Sequence, residues 1–72
     1  MFILKKGKMY QTATGYIIPR SQLAGVKALQ YAIFEVLELK ENGRYIKRHT
    51  TLSPVEIKAA LGLSKRERIT IL

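Results

Sequence analysis

The chain has no cysteine, no aspartate, two prolines and a single histidine among its 72 residues. Without cysteine there is neither a disulfide staple nor a thiolate zinc site, and one histidine with five glutamates leaves little from which to build another metal site. No metal or cofactor is expected, and no small-molecule ligand is evident. Long hydrophobic runs are also lacking. Met1-Phe2-Ile3-Leu4 is too short for the apolar stretch of a signal peptide, and nothing approaches the roughly 18 apolar residues of a membrane span. No membrane partner is therefore expected, and the default compartment is a reducing cytoplasm. A chain this short buries only roughly 60% of the surface it exposes when unfolded, which leaves room for one domain over residues 1–72 and not for a second core. No repeat or low-complexity segment interrupts it.

Catalytic groups are equally scarce. No serine, cysteine or lysine has a base at readable spacing, and there is no glycine-rich phosphate loop. Glu38 and Glu41 would share a helical face beside Lys40, which reads as an exposed helix end, so an enzyme is not expected. His49 has no carboxylate, cysteine or second histidine near it in sequence and reads as a surface residue.

What the chain does have is positive charge. Thirteen Lys and Arg against five Glu give a net charge of +8, which on so small a surface points to a polyanionic partner: nucleic acid, an anionic membrane or an acidic protein.

Residues 1–19 alternate β-prone and turn-prone chemistry, with Gly7 and Gly15 at turns and Pro19 closing the last strand. They read as a β hairpin, or as a partly ordered arm carrying the solvated Lys5, Lys6 and Lys8. From Ser21 to Glu41, Leu23, Val26, Leu29 or Gln30, Ile33, and Val36 or Leu37 recur at three- and four-residue steps. This predicts a first helix with Ser21 as its N-cap and Asn42 or Gly43 at its end. Tyr31 and Phe34 lie partly off that stripe. Residues 44–52 fit a short strand or an extended loop.

Ser53-Pro54-Val55-Glu56 is a capping box with proline at the first helical position, and Leu52 and Ile57 are placed as a hydrophobic staple. A second helix over 53–61 is expected, stopped by Gly62. Ser64-Lys65-Arg66-Glu67 reads as another capping box, opening a third helix over 64–72. Two helices joined by a short glycine-containing turn are the helix-turn-helix unit.

Ile57-Lys58-Ala59-Ala60-Leu61-Gly62-Leu63-Ser64, followed by a basic segment, resembles the helix-turn-helix of winged-helix DNA-binding domains. Ala32-Ile33-Phe34-Glu35-Val36-Leu37 followed by Glu41-Asn42-Gly43 resembles the end of their first helix. The resemblance spans residues 21–72 and implies a mainly α, three-helix domain with a small N-terminal β element. It implies that Ile57, Leu61 and Leu63 lock the two helices, that Ser64 caps the recognition helix, and that Lys65 and Arg66 touch bases or phosphates. Three features depart from the family: Arg68 stands where a buried valine or isoleucine is usual, Lys58 stands where a small residue is common early in the preceding helix, and no wing hairpin follows.

The expected function is duplex DNA binding in transcription control or in the replication or recombination of a small genome. Lys65, Arg66 and Arg68 would act from the recognition helix, with Lys47, Arg48, Lys5, Lys6 and Lys8 as backbone contacts. The alternative is a protein-interaction module or inhibitor docking on an acidic protein surface. Structured RNA is a third partner that the charge allows. Ile69, Ile71 and Leu72 near the end of the chain call for a cover: a homodimer, a larger parent protein, or Phe2, Ile3 and Leu4 folding back within one chain.

Overall fold

A computed structural model describes residues 1–26 and 28–72. Its elements are β1 (Phe2–Leu4), β2 (Tyr10–Thr12), β3 (Gly15–Pro19), β4 (Ala32–Leu39), β5 (Tyr45–Leu52), α1 (Pro54–Leu61) and β6 (Ile69–Ile71). Strands β2-β3-β4-β5 form an antiparallel sheet in that order, and β1 pairs with β6 in parallel. The expectation of a mainly α, three-helix domain is therefore overturned. The resemblance to winged-helix and helix-turn-helix proteins falls with it, because one short helix among six strands cannot form their three-helix core.

The expected first helix over 21–41 is replaced by a connection and then β4. Residues spaced at three and four along a helix also contain a two-residue alternation, and here the alternation decides. Ala32 and Phe34 point into the core and are fully buried, whereas Ile33 and Leu39 are exposed. Val26 and Leu29, assigned to the buried stripe, are exposed as well. The β-branched and aromatic residues of β4 suit a pleated surface, and pairing with a strand on each side gives them partners that an isolated helix would lack. Ser21 caps no helix. Its hydroxyl instead accepts from the Ile33 amide at 2.9 Å, tying the start of the connection to β4.

Helix α1 is specified locally. The Glu56 amide donates to the Ser53 hydroxyl at 3.3 Å, the Ser53 amide donates to the Glu56 carboxylate at 3.0 Å, and Pro54 occupies the first turn. Gly62 ends it in the left-handed conformation at φ 69°, which a residue with a side chain adopts at a cost. No second helix follows. The Ser64 hydroxyl accepts from the Arg66 amide and the Ser64 carbonyl from the Glu67 amide, closing a turn that leads into β6. Ile69, Thr70 and Ile71 are all β-branched, and β1 offers them an edge. Lys65 and Arg66 consequently stand on a turn and Arg68 on the lead into β6, and none of them on a recognition helix.

Pairing with β1 covers Ile69 and Ile71 near the end of the chain, while Leu72 stays exposed. Phe2 lies opposite Ile69 and Leu4 opposite Ile71, and Leu4 and Ile71 are both buried. The Phe2 amide donates to the Arg68 carbonyl at 2.7 Å, and the Leu72 amide to that of Leu4 at 2.8 Å. The two termini thus satisfy each other inside one chain, so Ile69 and Ile71 no longer require a second copy to shield them.

One core unites these elements: Leu4, Ile17, Ala32, Phe34, Ile57 and Ile71, with Phe2, Tyr10, Leu23, Val36, Leu52 and Leu61 packed against it. Ile17 and Val36 are register partners, as are Ala32 and Leu52, so one face of the sheet supplies the core. α1 and the β1/β6 pair lie on that face. Burying a side chain of the size of Phe34 contributes roughly 1.5–3 kcal/mol. Among the described residues no helix is long and apolar enough to cross a membrane.

Candidate functional site

The opposite face of the sheet carries no helix. Gln11, Tyr16, Leu37 and Lys47 stand in one row across the four strands, followed by Ile18, Glu35 and His49 in the next row, with Ile33 and Thr51 beyond. At the hairpin end, Leu39 lies opposite Tyr45. Residues opposite in register share a face, so this surface combines two tyrosines, several aliphatic side chains, Lys47 and His49. Tyr45, Leu39 and Ile33 are each close to half exposed.

The tyrosines give this face a geometric centre. Tyr16 is on β3 and Tyr45 on β5, separated by the whole of β4, and strands two apart lie roughly 10 Å from each other. Their ring centroids are nevertheless only 6.0 Å apart, with an interplanar angle of 46°. The rings therefore lean toward each other over β4. Beside them is a shallow cleft of about 320 Å³ lined by Gln11, Thr12, Ala13, Thr14, Gly15, Tyr16, Leu39 and Tyr45. Its floor is fixed by the backbone: the Leu39 amide donates to the Thr14 carbonyl at 2.8 Å. Gly15 permits that approach, since a Cβ there would lie 1.9 Å from the Leu37 carbonyl oxygen.

At the far end of the same face, Glu35 Oε1 lies 3.4 Å from Arg20 Nη2 and 3.3 Å from His49 Nε2. The Glu35 side chain is only 12% exposed and sits between the two. His49, which has no carboxylate near it in sequence, gains one through the cross-strand register Glu35↔His49. On the core face near the hairpin tip, Glu38 is held below its ordinary value, first by a hydrogen bond from the Lys40 ammonium and then by the charge of Lys40, with Arg48 adding to the effect. Glu38 is thus a strand residue paired with Lys40, not the exposed helix end expected.

The basic residues singled out in sequence are dispersed. Lys5, Lys6 and Lys8 occupy the turn after β1, with Lys8 Nζ 5.6 Å from the Tyr10 ring centroid. Lys65, Arg66 and Arg68 precede β6, at the other end of the parallel pair, roughly 10 Å of strand away. Lys47 and Arg48 are neighbours in β5 and so point to opposite faces. Lys47 shares the row of Tyr16, while Arg48 lies opposite Val36 and lines a groove of about 220 Å³ with Thr12, Glu38 and Ala59. The sequence reading did not single out Tyr16, Tyr45, Gln11, Arg20 or Glu35. The signal that would have joined Tyr45 to Lys47, His49 and Thr51 is their two-residue spacing.

A second hollow, of about 310 Å³, lies on the outer side of α1 between Val55, Lys58, Ala59, Leu63 and Lys65. Lys58 Nζ there donates to the Lys65 carbonyl at 3.2 Å. Among the described residues no group of three His, Cys, Asp or Glu is placed to hold a metal ion. Compared with protein families, curated proteins and solved structures, the chain matches none.

Proposed function

We propose that the protein is a nucleic-acid-binding module that uses the open face of its sheet. The observation that carries this reading is the convergence of Tyr16 and Tyr45 in the row and strand of Lys47, on a face where no helix packs among the described residues and where Tyr45, Leu39 and Ile33 stay close to half exposed, while Ile18 toward its far end is buried. Aromatic rings on a sheet offer π-faces to bases, and cations at their margin offset phosphate charge. Lys47 lies within the face, Arg44 immediately precedes Tyr45, and Arg20 stands at the far end. The net charge of +8 supplies long-range attraction to a polyanion. The duplex DNA reading drew its geometry from a recognition helix. Without that helix it retains the charge alone, and the open face becomes the better-supported surface.

Fluorescence anisotropy with random duplex DNA, single-stranded DNA and RNA at several salt concentrations tests the reading. Each phosphate neutralised contributes about −0.7 to −0.9 to the slope of log affinity against log salt, so three or four contacts give roughly −2 to −4. Absence of salt-dependent binding to all three probes removes the proposal.

A second reading, docking on an acidic protein surface, has its own observation. The hollow on α1 joins the exposed Val55 to Ala59 and Leu63 and is flanked by Lys58 and Lys65. An acidic segment with one apolar anchor would fit that chemistry.

A further inference from the structure

We infer that the cleft beside Tyr16 and Tyr45 seats one unpaired base, and hence that the ligand of this protein is a single strand and not a duplex. The inference rests on the nucleic-acid reading above and narrows it.

The walls of the cleft divide by chemistry. Tyr16, Leu39 and Tyr45 are apolar or aromatic, and Gln11 together with the turn from Thr12 to Gly15 supplies an amide and further polar groups. A planar heterocycle has the matching division, with apolar faces and a polar edge rich in donors and acceptors. At about 320 Å³ the space is at the lower end of small-ligand sites, roughly 300 Å³ upward. The two rings stand 6.0 Å apart and inclined at 46°, so they do not stack on each other in parallel. Tyr45 is about half exposed, which leaves ring surface for a third aromatic group.

A base inside a duplex cannot reach such a seat. Both of its faces are covered by neighbouring pairs and its edge is paired, and extruding it costs a few kcal/mol. A single strand arrives with these groups free. Its backbone would then leave the cleft along β5, where Arg44 and Lys47 flank Tyr45 in sequence and Lys47 shares the open face. Stacking on an aromatic side chain is tolerant of base identity, so affinity should depend little on sequence.

A second copy of this chain is a poor occupant of the open face on grounds of charge. Face-to-face pairing would bring two Lys47 side chains into one interface, while the Glu35 carboxylate of each copy is already paired with its own Arg20. A strand of phosphates complements that face and a copy of it does not.

The test uses the whole chain with labelled oligodeoxythymidine, oligouridine of the same length and a blunt duplex. Single strands of either sugar should bind at least about tenfold more tightly than the duplex, and Tyr45→Leu should remove about tenfold of that affinity. Tyr45→Phe, which keeps the ring, should restore most of it. The chain has four tyrosines and no tryptophan, so its intrinsic emission is tyrosine emission. Oligodeoxythymidine should quench part of it, and Tyr45→Leu should lose that part. Gln11→Ala, on the exposed edge strand, is the second variant should Tyr45→Leu fail to fold, and it should also narrow the preference for single strands. Equal affinity for duplex and single strands, or single-strand binding indifferent to both variants, overturns the base seat while leaving nucleic-acid binding standing. No salt-dependent binding to any probe overturns both. Sedimentation showing a dimer that Tyr45→Leu dissociates also overturns both, since a second copy would then occupy the face.

Discussion

The two faces of the four-stranded sheet are built from the same strands, often from adjacent residues, yet they have opposite physical fates. On one face Ile17, Ala32 and Phe34 meet Ile57 of α1 and Leu4 and Ile71 of the β1/β6 pair, and the result is a dry core. On the other face Tyr16, Ile33, Leu39 and Tyr45 meet one another and no helix, and share the surface with Lys47 and His49. Isolated exposed aliphatic residues are ordinary. A contiguous row that mixes aromatic rings with cations is a surface suited to a partner. The covered face accounts for folding, and the open face is where function is to be sought.

The largest expected effect separates adjacent residues on these faces. Phe34→Ala should cost about 3–5 kcal/mol, because it opens a cavity at a fully buried position of the core. That is a large fraction of the stability of so small a domain. Ile33→Ala, one residue earlier and facing outward, should cost about 1 kcal/mol or less. Urea denaturation of the two variants checks the contrast. Comparable losses would mean that something covers the open face as well.

The next effect concerns the cover itself. Ser53→Ala should destabilise the protein by about 1 kcal/mol by removing the hydroxyl that caps α1. The capping box also carries a pH dependence whose sign follows from Glu56. Hydrogen bonds from the Ser53 backbone and then its side chain hold the Glu56 carboxyl below its ordinary value of 4.5. A carboxyl lowered in the folded state binds protons less readily there than in the unfolded chain. Its contribution is therefore present above pH 4.5 and is lost as pH falls through the folded value. Thermal unfolding followed from neutral pH into the acid range should show this loss, and Glu56→Gln should flatten it. Retention of the full slope in Glu56→Gln would assign the acid sensitivity to other carboxylates.

What could be read from the sequence follows the range of the interactions involved. The capping box of α1 joins residues three apart, and Gly62 acts within the same turn, so Ser53, Pro54, Glu56 and Gly62 together announce the helix. The parallel pair β1/β6 joins opposite ends of the chain, and nothing in Ile69-Thr70-Ile71 names Phe2-Ile3-Leu4 as its partner. Strand β4 was hidden for a different reason. Its apolar residues satisfy both helical and strand spacing, and the choice was made by neighbours on β3 and β5. The candidate site inherits both difficulties. Lys47 is conspicuous for its charge, but its adjacency to Arg48 conceals that a strand turns successive residues to opposite sides. Tyr16 and Tyr45 became a pair only once the register was known.

The smallest effect tests the two faces through that same adjacent pair. Lys47 shares the open face with Tyr16 and Tyr45, whereas Arg48 points to the core side beside Val36 and Glu38. Both substitutions remove one positive charge, so any loss of long-range attraction is common to both and cancels in the comparison. What remains is local contact with phosphate. Lys47→Ala should reduce the magnitude of the salt slope for a single strand by about 0.7, the contribution of one phosphate contact, while Arg48→Ala leaves the slope close to that of the parent chain. Both side chains are exposed on an edge strand, so neither change should shift unfolding by more than about 0.5 kcal/mol. If the two variants lower the slope equally, the nucleic acid wraps the edge of β5 and is not held on one face. If Arg48→Ala alone lowers it, the strand lies in the groove between the sheet and α1, and the tyrosines of the open face play no part in holding it.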